Sequence, residues 1–308
     1  MGRFLLRRVP QTLIVLLGVV TLAFFMTHVV PGDPARLIAG PNASAEAVAS
    51  IHRELGLDLP LWHQYWTYIV GLLHGDLGTS FALQNRPVAT EILRALPISA
   101  LVAIGGVFWE LVIGVPVGII AAYRPKGILD RVTTFLALIG LSAPPFWVGL
   151  LLLYVFSYKL SLFPLNGWGS PIISYLILPT LTLGIAGAAW YARLTRTTMI
   201  DVLGSPYVQM ARAKGMPERT ILLRHSLRNV LTPLVTMLGM DLGYFLGGVV
   251  VIESIFGLPG IGKLTFDAIG SLDIPMITGA VLFSAIFIVL MNLVVDIAYA
   301  FIDPRVRP

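Results

Sequence analysis

The string GLPGIGKL, Gly257 to Leu264, is the part of this chain that most resembles a catalytic motif. It nearly matches the phosphate-binding loop G-x-x-x-x-G-K-[S/T], and an apolar run ending at Phe256 precedes it as a strand would. Leu264, however, stands where a hydroxyl should hold Mg²⁺, and the preceding run is long enough to cross a membrane. We therefore expect a glycine- and proline-rich turn beside Glu253 and no nucleotide site.

Other catalytic chemistry has no sequence support. The chain lacks H-E-x-x-H and G-x-S-x-G, its five His residues are not at metal-ligand spacings on one helix, and it has no Cys. Disulfides, thiol catalysis and Cys-based metal sites are thereby excluded. We predict a chain that is not an enzyme and binds neither a metal nor a cofactor.

Three carboxylates fall within long apolar runs: Glu110 and Asp241 near the middle of theirs, and Asp296 nearer one end. A charge inside a bilayer is costly, so each should face other protein or a wet cavity. Asp241 could meet an amino group of a solute or pair with a polar group of another subunit, and pairing is the commoner outcome. Helical spacing puts four residues on one face: Met237, Asp241, Tyr244 and Gly248. The candidates for lining a polar path through the membrane are Met237, Asp241, Tyr244 and Glu110.

A polar segment from Tyr207 to Pro233, YVQMARAKGMPERTILLRHSLRNVLTP, is rich in Lys and Arg. On a helix, Val208, Ala211 and Gly215 form a face of small residues, which permits close helix docking. The cations point elsewhere: Arg212, Lys214 and Arg219. Pro217 suits the first turn of a second helix, Glu218 to Asn229. We expect this segment to meet another protein, the alternative being a loop whose cations only hold topology.

Composition identifies an integral membrane protein. The chain is 56% hydrophobic and 12% charged, with a mean hydropathy of +0.85, whereas soluble domains are about 25% charged. Six runs reach the roughly 20 apolar residues that a bilayer requires, and they predict an all-α fold with six transmembrane helices: Val9 to Val30, Ile98 to Tyr123, Thr133 to Tyr158, Ile173 to Ala192, Leu231 to Ile252 and Met276 to Phe301.

The basic residues predict the orientation. If both termini are cytoplasmic, that side holds the large majority of the 21 Lys and Arg residues, as the positive-inside rule requires. They are not interleaved with aromatic residues, so no nucleic-acid partner is expected. The first run is too long for a signal peptide and no small-x-small cleavage site follows it, so we expect an uncleaved anchor.

These spans divide the chain into three parts. Residues 1–30 form a cytoplasmic N-terminus and the first helix, 31–97 an extracytoplasmic cap, and 98–308 a domain of five helices with a cytoplasmic loop at 193–230. Within the cap, a helical spacing predicts one aromatic face for Trp62, Tyr65, Trp66 and Ile69. We interpret this face as an interfacial anchor in preference to a ligand-binding platform.

The polar segment resembles the coupling loop of the membrane subunits of bacterial ABC importers. Ala211 and Gly215 match that family's Glu-Ala-Ala-x₃-Gly pattern, whereas Gln209 and Met210 depart from it. The sequence ARAKG followed by RNVLTP is similar to the branch that imports dipeptides, oligopeptides and nickel. Further similarity covers nearly the whole chain, in PGDPAR, LGLDLPLWHQYW, GDLGTS, LPTLTLG, ESIFGLPGIGKL and DPRVRP. HVVPGDPARLIAGP and the cap are most similar to glutathione-import permeases.

The resemblance implies a permease subunit of an inner-membrane importer for peptides or glutathione. Its partners would be a homologous second permease, two cytoplasmic ATPase subunits carrying ATP and Mg²⁺, an extracytoplasmic solute-binding protein and membrane lipid. A helix near Tyr207 to Met216 would dock into a groove on one ATPase and transmit its closure to the fifth span. The coupling residues would be Tyr207, Ala211, Arg212, Ala213, Lys214 and Gly215.

A secondary transporter driven by protons or ions is the alternative from another class. Such carriers are often built from inverted repeats, with carboxylates relaying protons at the bilayer midplane. This chain offers three scattered acidic residues and no inverted repeat. The sequence therefore favours the importer subunit.

Overall fold

In this computed structural model, residues 2–29, 34–39, 43–54, 56–123, 125–247 and 249–302 are described. Helices dominate these residues, with one small hairpin whose strands are β1 (Thr79–Ser80) and β2 (Arg86–Pro87). The helices are α1 (Gly2–Val29), α2 (Pro34–Ala39), α3 (Ala45–Glu54), α4 (Leu61–Leu73), α5 (Val88–Tyr123), α6 (Ile128–Ser142), α7 (Pro145–Leu152, extended by a π-helical segment Leu153–Lys159), α8 (Ile172–Leu203), α9 (Pro206–Ala213), α10 (Glu218–Thr220, followed by a π-helical segment Ile221–Ser226), α11 (Leu227–Leu246), α12 (Val250–Phe256), α13 (Ile261–Gly270) and α14 (Ile274–Ile302).

Four helices in the described ranges are long and apolar enough to cross a membrane. They are α5, α8, the Asn229–Leu246 part of α11 and the Ile274–Val295 part of α14. The pair formed by α6 and the extended α7 would make a fifth span, although its two halves meet at an angle of 98°. A shorter apolar stretch, Val9–Phe25, lies in α1. The predicted helical, multi-pass architecture is therefore confirmed.

Two of the predicted spans are interrupted. The third breaks after Ser142, because Pro145 has no N–H for a helix and forces Pro144 into an extended conformation, with ψ of 134°. The fifth ends at Leu246, and a separate helix, α12, begins at Val250. Helix α5, which contains the second predicted span, begins at Val88 and runs through residue 97 without a break.

The most extensive helix pair is α5 with α8, and small residues bring their backbones together. A methyl group added to Gly114 would lie 2.6 Å from the carbonyl oxygen of Ala188, and one added to Gly118 would lie 2.6 Å from that of Ala192. Real side-chain carbons do not approach backbone oxygens so closely. Only glycine permits this approach, in the manner of small-residue contacts between membrane helices.

The hairpin is fastened to the bundle through Asp273, which lies immediately before α14 and is 2% exposed. Its carboxylate accepts hydrogen bonds from the Ser80 hydroxyl and, at 3.1 Å, from the Ala82 N–H. The same side chain accepts a longer bond from the Met276 N–H in the first turn of α14. One buried carboxylate thus joins the segment that precedes α5 to the start of the last helix.

Helix α4 packs on α1 through Tyr65, whereas its two tryptophans do not take part in this contact. The hydroxyls of Tyr65 and Thr21 are 2.6 Å apart, and the Tyr65 ring meets Phe24 edge to face at 5.2 Å. Trp62 and Trp66 are instead 72% and 63% exposed. The predicted single aromatic face is therefore divided, because Tyr65 has turned to cover α1 while the two indoles face outward.

Candidate functional site

The predicted coupling segment forms α9, a short helix between α8 and α10. Pro206 occupies its first turn, where the missing N–H does no harm. Gly215 ends the helix with φ of +76°, a left-handed conformation that favours glycine. This turn and Pro217, which caps α10, separate α9 from the next helix. The sequence therefore produces an isolated two-turn helix at the end of a long apolar one.

The surface of α9 differs from the face of small residues that the sequence indicates. Val208 is fully buried within this chain, and Ala211 is half-buried. Tyr207 and Met210 are 47% and 60% exposed. The other exposed residues of α9 and the turn after it are Pro206, Gln209, Arg212, Ala213, Lys214 and Gly215. The available face thus consists of one aromatic and one thioether side chain among cations.

Two polar contacts connect α9 to its surroundings. The Asn229 side-chain amide donates a 2.6 Å hydrogen bond to the Tyr207 hydroxyl, which joins α9 to the first turn of α11. Arg212 donates to Glu218 at 2.7 Å across the Gly215 turn, and this bond raises the pKa of Arg212. The family resemblance named Tyr207 and Arg212 as coupling candidates but gave no hydrogen-bond partners for them, because a sequence motif carries no information on contacts between helices.

The candidate path residues occupy two different environments. The Tyr191 hydroxyl on α8 donates a 2.7 Å hydrogen bond to Asp241 on α11, and Tyr191 is fully buried. Glu110 on α5 is 2% exposed and packs against Gly187, and its Oε2 has no hydrogen-bond partner among the described residues. Glu110 is therefore buried inside the bundle, and Asp241 is half-buried against α8.

The other two path candidates lie apart from that pair. Met237 is half-buried and packs against the core that contains Tyr191, whereas Tyr244 is 67% exposed. Only Tyr244 therefore presents a largely open surface. Gly248 and the Asp296 side chain fall outside the described part of the structure.

The turn that mimics a phosphate loop encloses a carboxylate of its own chain. Glu253 accepts hydrogen bonds from the Gly262 and Lys263 N–H groups at 2.7 and 3.1 Å, and from the Ser99 hydroxyl at 2.7 Å. Burial raises the pKa of the Glu253 carboxyl, and these donors oppose the shift. Leu264 follows on α13 without a hydroxyl. The backbone N–H groups of Gly262 and Lys263, which would bind phosphate in a nucleotide site, therefore already bind the Glu253 carboxylate.

An ion pair connects α8 with the start of α6. The Arg196 Nε and Nη2 atoms donate to the two Asp130 oxygens at 2.5 and 2.8 Å. Asp130 also accepts a 2.8 Å bond from the Lys126 N–H and is 4% exposed. No motif marks this pair in the sequence, since its members are 66 residues apart.

The apolar helices are those of a membrane protein, and comparison with protein families identifies its class. The chain belongs to the family described as the binding-protein-dependent transport system inner membrane component, whose model matches residues 114–308. The N-terminal model of the same kind of membrane component matches residues 1–103. It is therefore a multi-pass permease subunit of an ABC importer and not a catalytic subunit.

Individual relatives resemble the chain over its full length. The glutathione transport system permease protein GsiC of Escherichia coli O6:H1 is 42% identical over 307 residues, covering 100% of this chain and 99% of the relative. The GsiC of Salmonella choleraesuis shows the same identity and coverage, and that of Escherichia coli K12 is 41% identical.

Solved structures agree on the fold. An inward-facing MetNI methionine ABC transporter matches with a TM-score of 0.58 at 19% identity, covering 69% of this chain and 96% of that chain. A second crystal form of the same transporter gives 0.57 at 18% identity. At such low identity the likeness concerns the fold alone.

Proposed function

We propose that this chain forms half of the translocation path of an importer for glutathione or short peptides. The observation that carries this proposal is the 42% identity, over the full length of both proteins, to a permease of a glutathione transport system. In this proposal the subunit conducts and does not hydrolyse ATP. The turn at Gly257 to Leu264 supports the absence of ATP hydrolysis on this chain, since the backbone N–H groups that would bind phosphate already bind the Glu253 carboxylate.

The chain would work with four kinds of neighbour. A homologous second permease would complete the path, two ATPase subunits would hold ATP and Mg²⁺, and a solute-binding protein would deliver the cargo. Lipid would surround the rest. Alternating access then requires that the ATPases move the helices, because this chain has no energy source of its own.

Helix α9 is the proposed contact with an ATPase. Its exposed face combines Tyr207 and Met210 with Arg212 and Lys214, so it can fill an apolar groove and pair with acidic residues at its rim. The hydrogen bond from Asn229 to Tyr207 would carry a displacement of α9 directly into α11. The pair Tyr191 and Asp241 would pass it on to α8.

The proposed topology has six crossings and both termini in the cytoplasm. It counts α1 as one span and the bent pair α6 and α7 as another. The excess of Lys and Arg near α9 and near the termini supports this orientation in a bacterial inner membrane. The segment at 31–97, with its hairpin and α4, would then cap the outer side.

The path itself would pass along the open face of α11. Tyr244 is the candidate for solute contact, because its ring is largely exposed. Met237, Asp241 and Glu110 would support that face from behind, since each is at least half-buried. Asp241 is hydrogen-bonded within its own chain, which favours pairing as its role.

Reconstitution tests this function. The chain, its second permease and the ATPases are placed in liposomes with the solute-binding protein, and uptake of labelled glutathione and of a dipeptide is measured. We expect uptake that requires ATP and every component. Uptake by this chain alone, driven by a proton or ion gradient, would overturn the proposal in favour of a secondary carrier.

A further inference from the structure

A groove of about 360 Å³ opens between α5, α6 and α8. Its walls include Val117, Leu138 and Leu141, and its polar residues include Arg193 and Arg196. The lining also contains three alanines, whose small side chains leave the space open: Ala121, Ala137 and Ala192. The groove is therefore a cavity with an apolar lining and a cationic part, and none of the functions proposed above uses it.

The polar and apolar residues are separated along the membrane normal. Thr133 and Thr134 lie in the first half of α6, and Leu138 and Leu141 follow toward its other end. Helix α8 contributes Arg193 near the end that leads to α9. In the topology proposed above, the cationic end of the groove would lie toward the membrane surface on the α9 side, and the end lined by Leu138 and Leu141 toward the bilayer.

The positive charge of the two arginines that line the groove is not fully neutralised. Arg196 is paired with Asp130 through two hydrogen bonds. Arg193 is exposed and forms no ion pair within the described ranges. Asp130 is the acidic residue at this site, and Arg196 already compensates it. One positive charge, that of Arg193, therefore remains without a compensating carboxylate in the lining of the groove.

We propose that this groove binds an anionic phospholipid, with its phosphate against Arg193 and one acyl chain along Leu138 and Leu141. A phospholipid matches the groove in its two parts, because it has a charged headgroup that can meet the arginine and a hydrocarbon chain that can cover the apolar lining. Basic pockets between membrane helices bind anionic headgroups in this way. A soluble anion would satisfy Arg193 but would leave the apolar part unfilled, which is why a lipid is the better match.

Native mass spectrometry of the assembled transporter tests the proposal. The complex, with all its partner subunits, is exchanged into nanodiscs of phosphatidylcholine with or without phosphatidylglycerol, released into detergent and weighed. We expect retained phosphatidylglycerol in preference to phosphatidylcholine. Arg193→Gln should lower that retention roughly fivefold, the contribution of one cation near an anionic surface. Equal retention of the two lipids would overturn the proposal.

Two variants separate the groove from the general charge of the surface. Arg131→Gln removes an exposed cation of α6 that does not line the groove, and it should leave retention unchanged. Ala137→Trp keeps every charge but fills the groove, and it should lower retention as Arg193→Gln does. If Arg131→Gln has the same effect as Arg193→Gln, the groove is not the binding site.

Photo-crosslinking identifies the occupant directly. A benzoylphenylalanine at position 138, where an exposed leucine already lines the groove, should form adducts with the mass of a phospholipid in the assembled transporter. Adducts to the second permease instead would show that this face is a subunit contact, and the lipid proposal would fail. This readout does not depend on transport, so it remains valid whether or not glutathione is the cargo.

Discussion

The Glu253 carboxylate accepts a 2.7 Å hydrogen bond from the Gly262 N–H, inside a sequence that nearly matches a phosphate-binding loop. The arrangement is that of an anion site at a helix N-terminus, with a side chain of the same protein as the anion. A methyl group on Gly260 would overlap this carboxylate, so glycine is required there. Ser99 completes the site from α5, donating to Glu253 and accepting from the Ile261 N–H at 2.9 Å.

Replacing Ser99 tests the structural importance of this carboxylate site. Ser99→Ala should lower the free energy of unfolding by about 1–3 kcal/mol, because it leaves the buried Ile261 N–H without an acceptor and removes one donor to Glu253. The apparent unfolding temperature of the detergent-solubilised transporter measures the effect. Ser142→Ala is the control, since that hydroxyl bonds only its own helix at an exposed position. Equal losses for both variants would contradict the prediction.

The contact between α5 and α8 predicts opposite results for two glycines. Gly114→Ala should destabilise by about 1–3 kcal/mol, because the methyl group collides with the Ala188 carbonyl and the helices must separate. Gly18→Ala in α1 meets no atom within 4 Å and should stabilise by up to about 1 kcal/mol through helix propensity. Thermal unfolding of both variants gives the comparison. A stable Gly114→Ala protein would mean that the two backbones are farther apart.

The hydroxyl of Tyr207 should be needed for coupling but not for assembly. Tyr207→Phe removes the hydrogen bond from Asn229, worth about 0.5–1.5 kcal/mol, so ATP-driven uptake should fall several-fold while the ATPases still co-purify. Tyr158→Phe, at a residue 64% exposed and distant in sequence, is the matched control. Unchanged uptake in Tyr207→Phe would exclude this bond from the coupling route.

The exposed face of α9 can be tested without disturbing the fold. Met210→Asp places a charge on a side chain that is 60% exposed, so the protein should still reach the membrane but lose the ATPases on purification. Leu59→Asp, at an apolar residue 45% exposed outside the loop, should retain them. A substitution at Gly215 is less informative, because its φ of +76° would strain any other residue. Normal co-purification of Met210→Asp would place the docking surface elsewhere.

Much of the architecture follows from the sequence alone, because apolar run length and cation distribution report directly on the bilayer. The helical class and the membrane location were predictable in this way, whereas the family was predictable only from the resemblance of motifs such as ARAKG and ESIFGLPGIGKL. The break after Ser142 was visible as a pair of prolines, but the bend of 98° was not, since proline specifies where a helix stops and not where the next one points.

The sites were less predictable. Helical spacing correctly groups Val208 with Ala211, but it does not tell which side of α9 turns inward, and Val208 proves to be buried. The partner of Asp241 is Tyr191, 50 residues away on another helix, and no local pattern indicates that contact. Packing determines such pairs, and packing depends on the whole bundle.

The glycines of α5 have a mechanical consequence. Two helices whose main chains touch at Gly114 and again at Gly118 cannot slide or roll against each other without breaking several contacts at once. The two helices should therefore move as one unit, and in the proposed transport cycle we expect bending at places where a helix is already interrupted. The bend between Ser142 and Pro145, where α6 and α7 meet at 98°, is such a place among the described residues.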